Sequence, residues 1–172
     1  MTRVETLRDG EDVVTFPRLL PLSMFVIAVA SLLQWIVPID IISDIAFIED
    51  IDPSWLCAVG LIVALAGLSL SLAGHWALKR RGADVHPYQP ATVLVTDGVF
   101  KWTRNPGYLG MLIGLSGIAL AFGLDWLLIL ILPLWLVLNS AVVRQEELHL
   151  EHKFGNAYRK YLRRVPRYFF IH

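Results

Sequence analysis

The sequence predicts an all-α polytopic membrane protein: four transmembrane helices, a cytoplasmic loop and C-terminal cytoplasmic helices. Three observations predict it. Of 172 residues, 56% are hydrophobic and 17% charged, against about 45–50% and about 25% in an ordinary soluble domain. Four stretches lack Asp, Glu, Lys and Arg over roughly the 17–25 residues a helix needs to cross a bilayer. All 15 Lys and Arg residues lie outside those stretches, in three segments that four crossings would put on one side.

The first stretch is Leu19 to Ile39 and the second Ser54 to Leu78. The third is Asn105 to Leu124 and the fourth Trp126 to Val143. Only Asp125 separates the last two, which therefore read as a tight helical hairpin. Pro21 and Pro133 are tolerable inside membrane helices, where neighbours re-satisfy freed backbone groups. Together the stretches make a single domain, 1–172, with the first two transmembrane helices in 19–78 and the remainder in 79–172.

Arg3, Arg8 and Arg18 precede the first stretch. Lys79, Arg80, Arg81, Lys101 and Arg104 follow the second, and Arg144 to Arg167 follow the fourth. The opposite side receives Asp40, Asp44, Glu49, Asp50, Asp52 and Asp125, with no basic residue. The positive-inside rule then makes both termini cytoplasmic, in what would be a prokaryotic plasma membrane. Trp35, Trp55, Trp76, Trp102 and Trp126 fall at or near stretch ends, as an aromatic belt would. The acidic segment Asp40 to Pro53 reads as a solvated linker.

Basic and acidic residues balance at 15 each, which gives no support to a nucleic-acid partner. The single Cys57 excludes an intramolecular disulfide and any multi-cysteine metal site. Neither a dinucleotide-binding Gly-x-Gly-x-x-Gly nor a phosphate-binding P-loop occurs, nor a Gly-x-Ser-x-Gly nucleophile elbow.

The loop Lys79 to Arg104 and the segment Arg144 to His172 hold most of the residues outside the stretches, so a functional site is expected at the inner membrane surface. Thr92-Val93-Leu94-Val95 reads as a short β-like run and Asp97-Gly98 as a turn. Pro106 suits the first turn of the third membrane helix, with Asn105 as N-cap. That helix start beside Arg104 is either an anion site or simply a capped helix with a snorkelling arginine. Gly107, Gly110, Gly114 and Gly117 lie on one helical face, favouring close helix packing over an open ligand face.

Arg144 to Phe154 should carry the fourth helix into the cytoplasm, with Gly155 as its C-cap. Asn156 to Arg164 reads as a second short helix bearing Tyr158 and Tyr161, ended by Val165-Pro166-Arg167. Glu146 and Glu147 point about 100° apart, so one acid would face the bundle and the other water. Glu146-x-x-His149 is a single Glu-x-x-His motif, whereas di-iron bundles use two, so no metal is expected.

Residues Leu94 to Gly110, read L-V-T-D-G-V-F-K-W-T-R-N-P-G-Y-L-G, resemble the L-V-x-x-G-x-Y-x-x-x-R-H-P-x-Y-x-G stretch of the isoprenylcysteine carboxyl methyltransferase family, shared in large part by phospholipid methyltransferases. Glu146-Glu147-x-x-Leu150, Phe154-Gly155-x-x-Tyr158-x-x-Tyr161 and Val165-Pro166 resemble the family's second signature, in the expected order. The likeness covers residues 92–167. It implies an integral membrane methyltransferase that uses S-adenosylmethionine and acts on a hydrophobic or lipidic acceptor drawn from the bilayer: an isoprenylcysteine-like carboxylate, a lipid or a small thiol.

Carried over by matching positions, the reacting centre would comprise Arg104, Asn105, Glu146 and Arg144. The cofactor would contact Thr92, Val93, Leu94, Val95, Gly98, Phe100, Asn105, Pro106, Gly107, Tyr108 and Glu146, with Glu147, Tyr158 and Tyr161. Asn105 stands where the family has histidine, and Phe100 where it has tyrosine. Val142 stands where the eukaryotic enzymes have a substrate-side arginine. Two other readings share parts of this pattern: a nicotinamide-dependent membrane reductase of the sterol reductase type, and a non-catalytic membrane scaffold.

Overall fold

A computed structural model describes residues 19–48, 52–82 and 93–169. Arg3, Arg8, Arg18, Glu49, Asp50, the segment His86 to Pro90 and Thr92 lie outside the described residues.

The described residues are helical, without a β-strand. In chain order the helices are α1 (Leu19–Ile36), α2 (Ile41–Ile48), α3 (Pro53–Arg80), α4 (Pro106–Phe122), α5 (Asp125–Val137), α6 (Arg144–Phe154) and α7 (Asn156–Leu162). A single 3₁₀ turn, Gly98–Lys101, precedes α4, and a wider π-turn, Leu138–Val143, joins α5 to α6. The expected β-like run is irregular backbone at Val93, Leu94 and Val95. Its side chains are recruited by helices rather than by a partner strand: Val95 is buried against Tyr158, Tyr161 and Val165.

Local sequence sets most boundaries. The Asp52 carboxylate accepts the Ser54 N–H at 2.8 Å and Pro53 occupies the first turn, which starts α3. Gly123 ends α4 with φ +61° and Gly155 ends α6 with φ +53°, both in a region that disfavours side chains. α5, the π-turn and α6 form one rod of 30 residues, Asp125–Phe154. At about 1.5 Å per residue this is roughly 45 Å, against a hydrocarbon core of about 30 Å. The charged third of the rod, α6, is the surplus.

Two helices, α3 and the Asp125–Phe154 rod, are long and apolar enough to cross a membrane; α1 and α4 are shorter apolar helices. Leu61, Ile62, Leu65, Leu68 and Leu72 of α3 are exposed, and so are Trp35, Trp55, Trp76 and Trp102. An apolar surface of this extent is that of a membrane protein.

α3 and α4 pack antiparallel through glycine. A Cβ added at Gly110 would lie 2.5 Å from the Gly67 carbonyl oxygen, and one at Gly117 would lie 2.5 Å from that of Gly60. One at Gly74 would lie 2.9 Å from the Pro106 ring. The small-residue face of α4 is thus consumed by helix packing. Gly114 is roomier, with nothing nearer than 3.8 Å to its would-be Cβ.

The acidic segment departs from its expected form as a solvated linker. Part of it folds as α2, and the Ile42 N–H donates to the Asp125 carboxylate at 2.9 Å. Asp125 is 3% exposed. The acid that separates α4 from α5 therefore also caps α2, because its charge stabilises unpaired first-turn amides. Trp126 adds a bond from its indole N–H to the Val37 carbonyl at 2.7 Å.

Two hydrophobic cores result. The larger unites Val26 and Ala30 of α1 with Tyr108, Leu112 and Leu115 of α4 and Leu127 of α5. The smaller, at the other end from Asp125, unites Val95, Phe100, Tyr158, Tyr161 and Val165. The candidate site lies where the two meet.

Candidate functional site

The segment 103–105 enters α4 held by the chain's last described turn. The Arg104 N–H donates to the Pro166 carbonyl at 3.1 Å. The Thr103 hydroxyl donates to the Arg167 carbonyl at 2.7 Å and accepts the Asn105 N–H at 3.2 Å. From the other side the Tyr161 hydroxyl donates to the Phe100 carbonyl at 2.8 Å. α7 and residues 165–167 thus fix both ends of the stretch that leads into α4.

Glu147 is the centre of an ionic clasp. Its carboxylate accepts the Arg167 Nε–H at 3.1 Å on one oxygen and an Arg167 Nη2–H on the other. Arg104 Nη2 lies 3.4 Å from it, with the Arg104 side chain 6% exposed. Arg167 Nη1 also donates to Asn139 Oδ1 at 2.8 Å. The hydrogen bonds it donates to Glu147 hold the Arg167 guanidinium protonated beyond its ordinary range. The expectation that one of the paired acids faces water is corrected: the Glu147 side chain is 13% exposed. Two arginines from elsewhere in the chain cover and neutralise it, which the helix alone could not announce.

Glu146 turns the other way. The Tyr108 hydroxyl donates to its Oε2 at 3.4 Å, a long bond that leaves the carboxylate largely uncommitted. Tyr108 is buried in the first turn of α4, so Glu146 addresses the start of that helix.

Asn105 occupies the N-cap position, but its side chain does not cap. The residue is buried, and among the described residues its Nδ2 has no hydrogen-bond partner. The Gly107 and Tyr108 amides are therefore left without a side-chain acceptor. Among the described residues Arg104 Nε and the Tyr168 hydroxyl are also buried without a partner. Buried unpaired donors are rare, because each costs about 1–3 kcal/mol. Two of the three, Arg104 Nε and Asn105 Nδ2, belong to the residues that lead into α4.

Most of the residues singled out from the sequence converge here: Phe100, Arg104, Asn105, Pro106, Gly107, Tyr108, Glu146, Glu147, Tyr158 and Tyr161. Phe100, Val95, Tyr158 and Tyr161 form the smaller core, with the two tyrosine rings 6.0 Å apart. Burial pushes both phenols well above their ordinary range. Arg144 does not join them; it is exposed and takes part in no ion pair among the described residues. Val93 and Gly98 are exposed, and Gly98 serves the turn through its φ of +59°. Thr103, Asn139, Arg167 and Tyr168 belong to the site but carry no local signal beyond their position near the matched motifs.

Residues 55–157 match the family model of the phospholipid methyltransferases. Among curated proteins, the Xenopus laevis protein-S-isoprenylcysteine O-methyltransferase is 30% identical over 129 residues, 66% of this chain and 40% of its own. That of Schizosaccharomyces pombe is 33% identical over 102 residues, 59% of this chain and 39% of its own. The human protein of the same name is 27% identical over 126 residues, 66% and 40% of the two chains. This chain thus spans about 40% of the length of the curated relatives it matches. No solved structure matches.

Proposed function

The chain belongs to the phospholipid methyltransferase family, and from that premise we propose that it is an S-adenosylmethionine-dependent methyltransferase acting on a hydrophobic, lipid-like acceptor. The relatives methylate an oxygen of S-isoprenylcysteine, as their name states; a carboxylate-headed prenyl thioether is accordingly the first acceptor to test. In this reading α1, α3, α4 and the α5–α6 rod are four membrane crossings, and the site opens toward the cytoplasm.

The observation that carries the proposal is Asn105: 7% exposed, with an unpartnered amide nitrogen at an uncapped helix start. That donor set fits an amino-acid carboxylate, which the Asn105 amide and the first-turn amides of α4 would hold together. The half-free Glu146 carboxylate suits the ammonium or ribose hydroxyls of the same molecule. When bound, S-adenosylmethionine supplies an electrophilic methyl group on sulfonium. The chain's own contribution is alignment and exclusion of water. Orientation of this kind is worth roughly 7–11 kcal/mol. The clasp of Glu147 with Arg104 and Arg167 keeps the start of α4 rigid, and the apolar faces of α4 and α5 keep it dry.

An acceptor already ionised at neutral pH, such as a carboxylate, needs no general base. Asn105 supplies none, since an amide does not titrate. An amine acceptor would need one.

Calorimetry of purified protein with S-adenosylhomocysteine tests the reading. Micromolar binding by the wild type is expected, weakened about tenfold or more in Glu146→Ala, the worth of a charged hydrogen bond. Absence of binding by the wild type overturns the assignment. Binding of a nicotinamide cofactor instead would favour a reductase.

A further inference from the structure

Tyr168 is 5% exposed, and its hydroxyl has no partner among the described residues. The neighbouring Phe169, which has no hydroxyl, is exposed.

The position of Tyr168 is fixed from the cytoplasmic side. Its two predecessors are held through the Pro166 and Arg167 carbonyls, and the Arg167 guanidinium is locked on Glu147 and Asn139. Its ring, however, packs 6.4 Å from that of Trp135, tilted by 55°. Trp135 lies in the uncharged part of the rod, three turns before Glu146. Tyr168 therefore reaches from the clasp toward the bilayer side of the site. Burial pushes its phenol up to about 12, so it is a neutral donor at any physiological pH. The charged groups that act on it are Arg167, held in the clasp, and the Glu147 and Glu146 carboxylates. A neutral donor suits an acceptor oxygen, which a carboxylate supplies.

We propose that Tyr168 positions the methyl acceptor, its hydroxyl donating to one oxygen of a carboxylate-headed lipid that arrives along α5. The proposal rests on the methyltransferase reading above. One carboxylate oxygen held in this way leaves the other free to face the transferred methyl.

Tyr168→Phe keeps the ring and removes the donor. The wild type and this variant are compared with N-acetyl-S-farnesylcysteine as probe acceptor. KM for the probe is read beside kcat, the affinity for S-adenosylhomocysteine and the melting temperature. The expected result is a KM raised about tenfold or more, the worth of a hydrogen bond to a charged group. Cofactor-product affinity should be unchanged and the melting temperature not lowered, because the variant no longer buries an unpaired hydroxyl. An unchanged KM in an active variant overturns the proposal, as does a loss confined to S-adenosylhomocysteine affinity. A wild type that binds S-adenosylhomocysteine but is neither active on the probe nor stabilised by it overturns the carboxylate assignment alone. A wild type that binds neither overturns the methyltransferase reading, and the role of Tyr168 with it.

Discussion

Glu147 and Arg167 form a two-pronged ion pair that closes across twenty residues of chain, with both carboxylate oxygens engaged. Arg104 lies on the same carboxylate. This one acid therefore joins α6 to the entry of α4 and to the chain's last described turn. Glu147→Gln keeps the shape and removes the charge, leaving two arginines facing a neutral amide. Breaking a buried pair typically costs about 3–5 kcal/mol. A clearly lowered melting temperature in detergent is expected; an unchanged one would show that the clasp contributes nothing to stability.

The α3–α4 contact makes a prediction with its own control. Gly110→Ala sets a methyl group against the Gly67 carbonyl, whereas Gly114→Ala meets only ordinary contact distances. Overpacking of the first kind costs about 1–3 kcal/mol. The first variant should melt lower than wild type and the second should not. Equal effects from the two would contradict the described helix crossing.

Asp125 should matter for α2. Asp125→Ala removes the acceptor of the Ile42 N–H, a loss of about 0.5–2 kcal/mol for a helix cap. Hydrogen exchange at the Ile42 amide reads this directly. Unaltered protection in the variant would mean that Asp125 does not hold α2.

Much of this architecture is legible in the sequence because its causes are local. Pro106, Gly123 and Gly155 mark helix boundaries through their own backbone preferences, and uncharged length marks the apolar helices. The glycine face of α4 is equally visible, whereas its mates Gly60, Gly67 and Gly74 show their purpose only once α3 lies against it. What the sequence hides is pairing at a distance. Asp125 caps a helix 83 residues earlier, and Arg167 finds Asn139 across 28 residues. Asn105 is the instructive case. Its place before Pro106 announces a cap, yet the side chain stays buried and uncommitted, which only the fold reveals.

The distribution of basic residues predicts the membrane orientation proposed above. In a protein whose Cys57 is replaced by Ser, Asp44→Cys should react with an impermeant thiol reagent added to intact cells, and Asn156→Cys should not. Both positions are exposed. Reaction at Asn156→Cys without permeabilisation would invert the proposed topology.

If Asn105 only donates to the cofactor, Asn105→His should retain binding of S-adenosylhomocysteine, since an imidazole N–H replaces the amide, while Asn105→Ala should lose about tenfold. Calorimetry on the three proteins decides it. Equal binding by wild type and Asn105→Ala would remove this residue from the site.

Transfer itself is the most direct test. Purified protein in lipid vesicles is given S-adenosylmethionine labelled in its methyl group, together with N-acetyl-S-farnesylcysteine, a farnesyl thiol or phosphatidylethanolamine. Label is expected in the carboxylate lipid, and less of it in Glu146→Ala at limiting S-adenosylmethionine. No label in any lipid, from a wild type shown by its melting curve to be folded, would contradict the methyltransferase assignment; label in phosphatidylethanolamine or the farnesyl thiol, and none in the carboxylate lipid, would contradict the ionised acceptor.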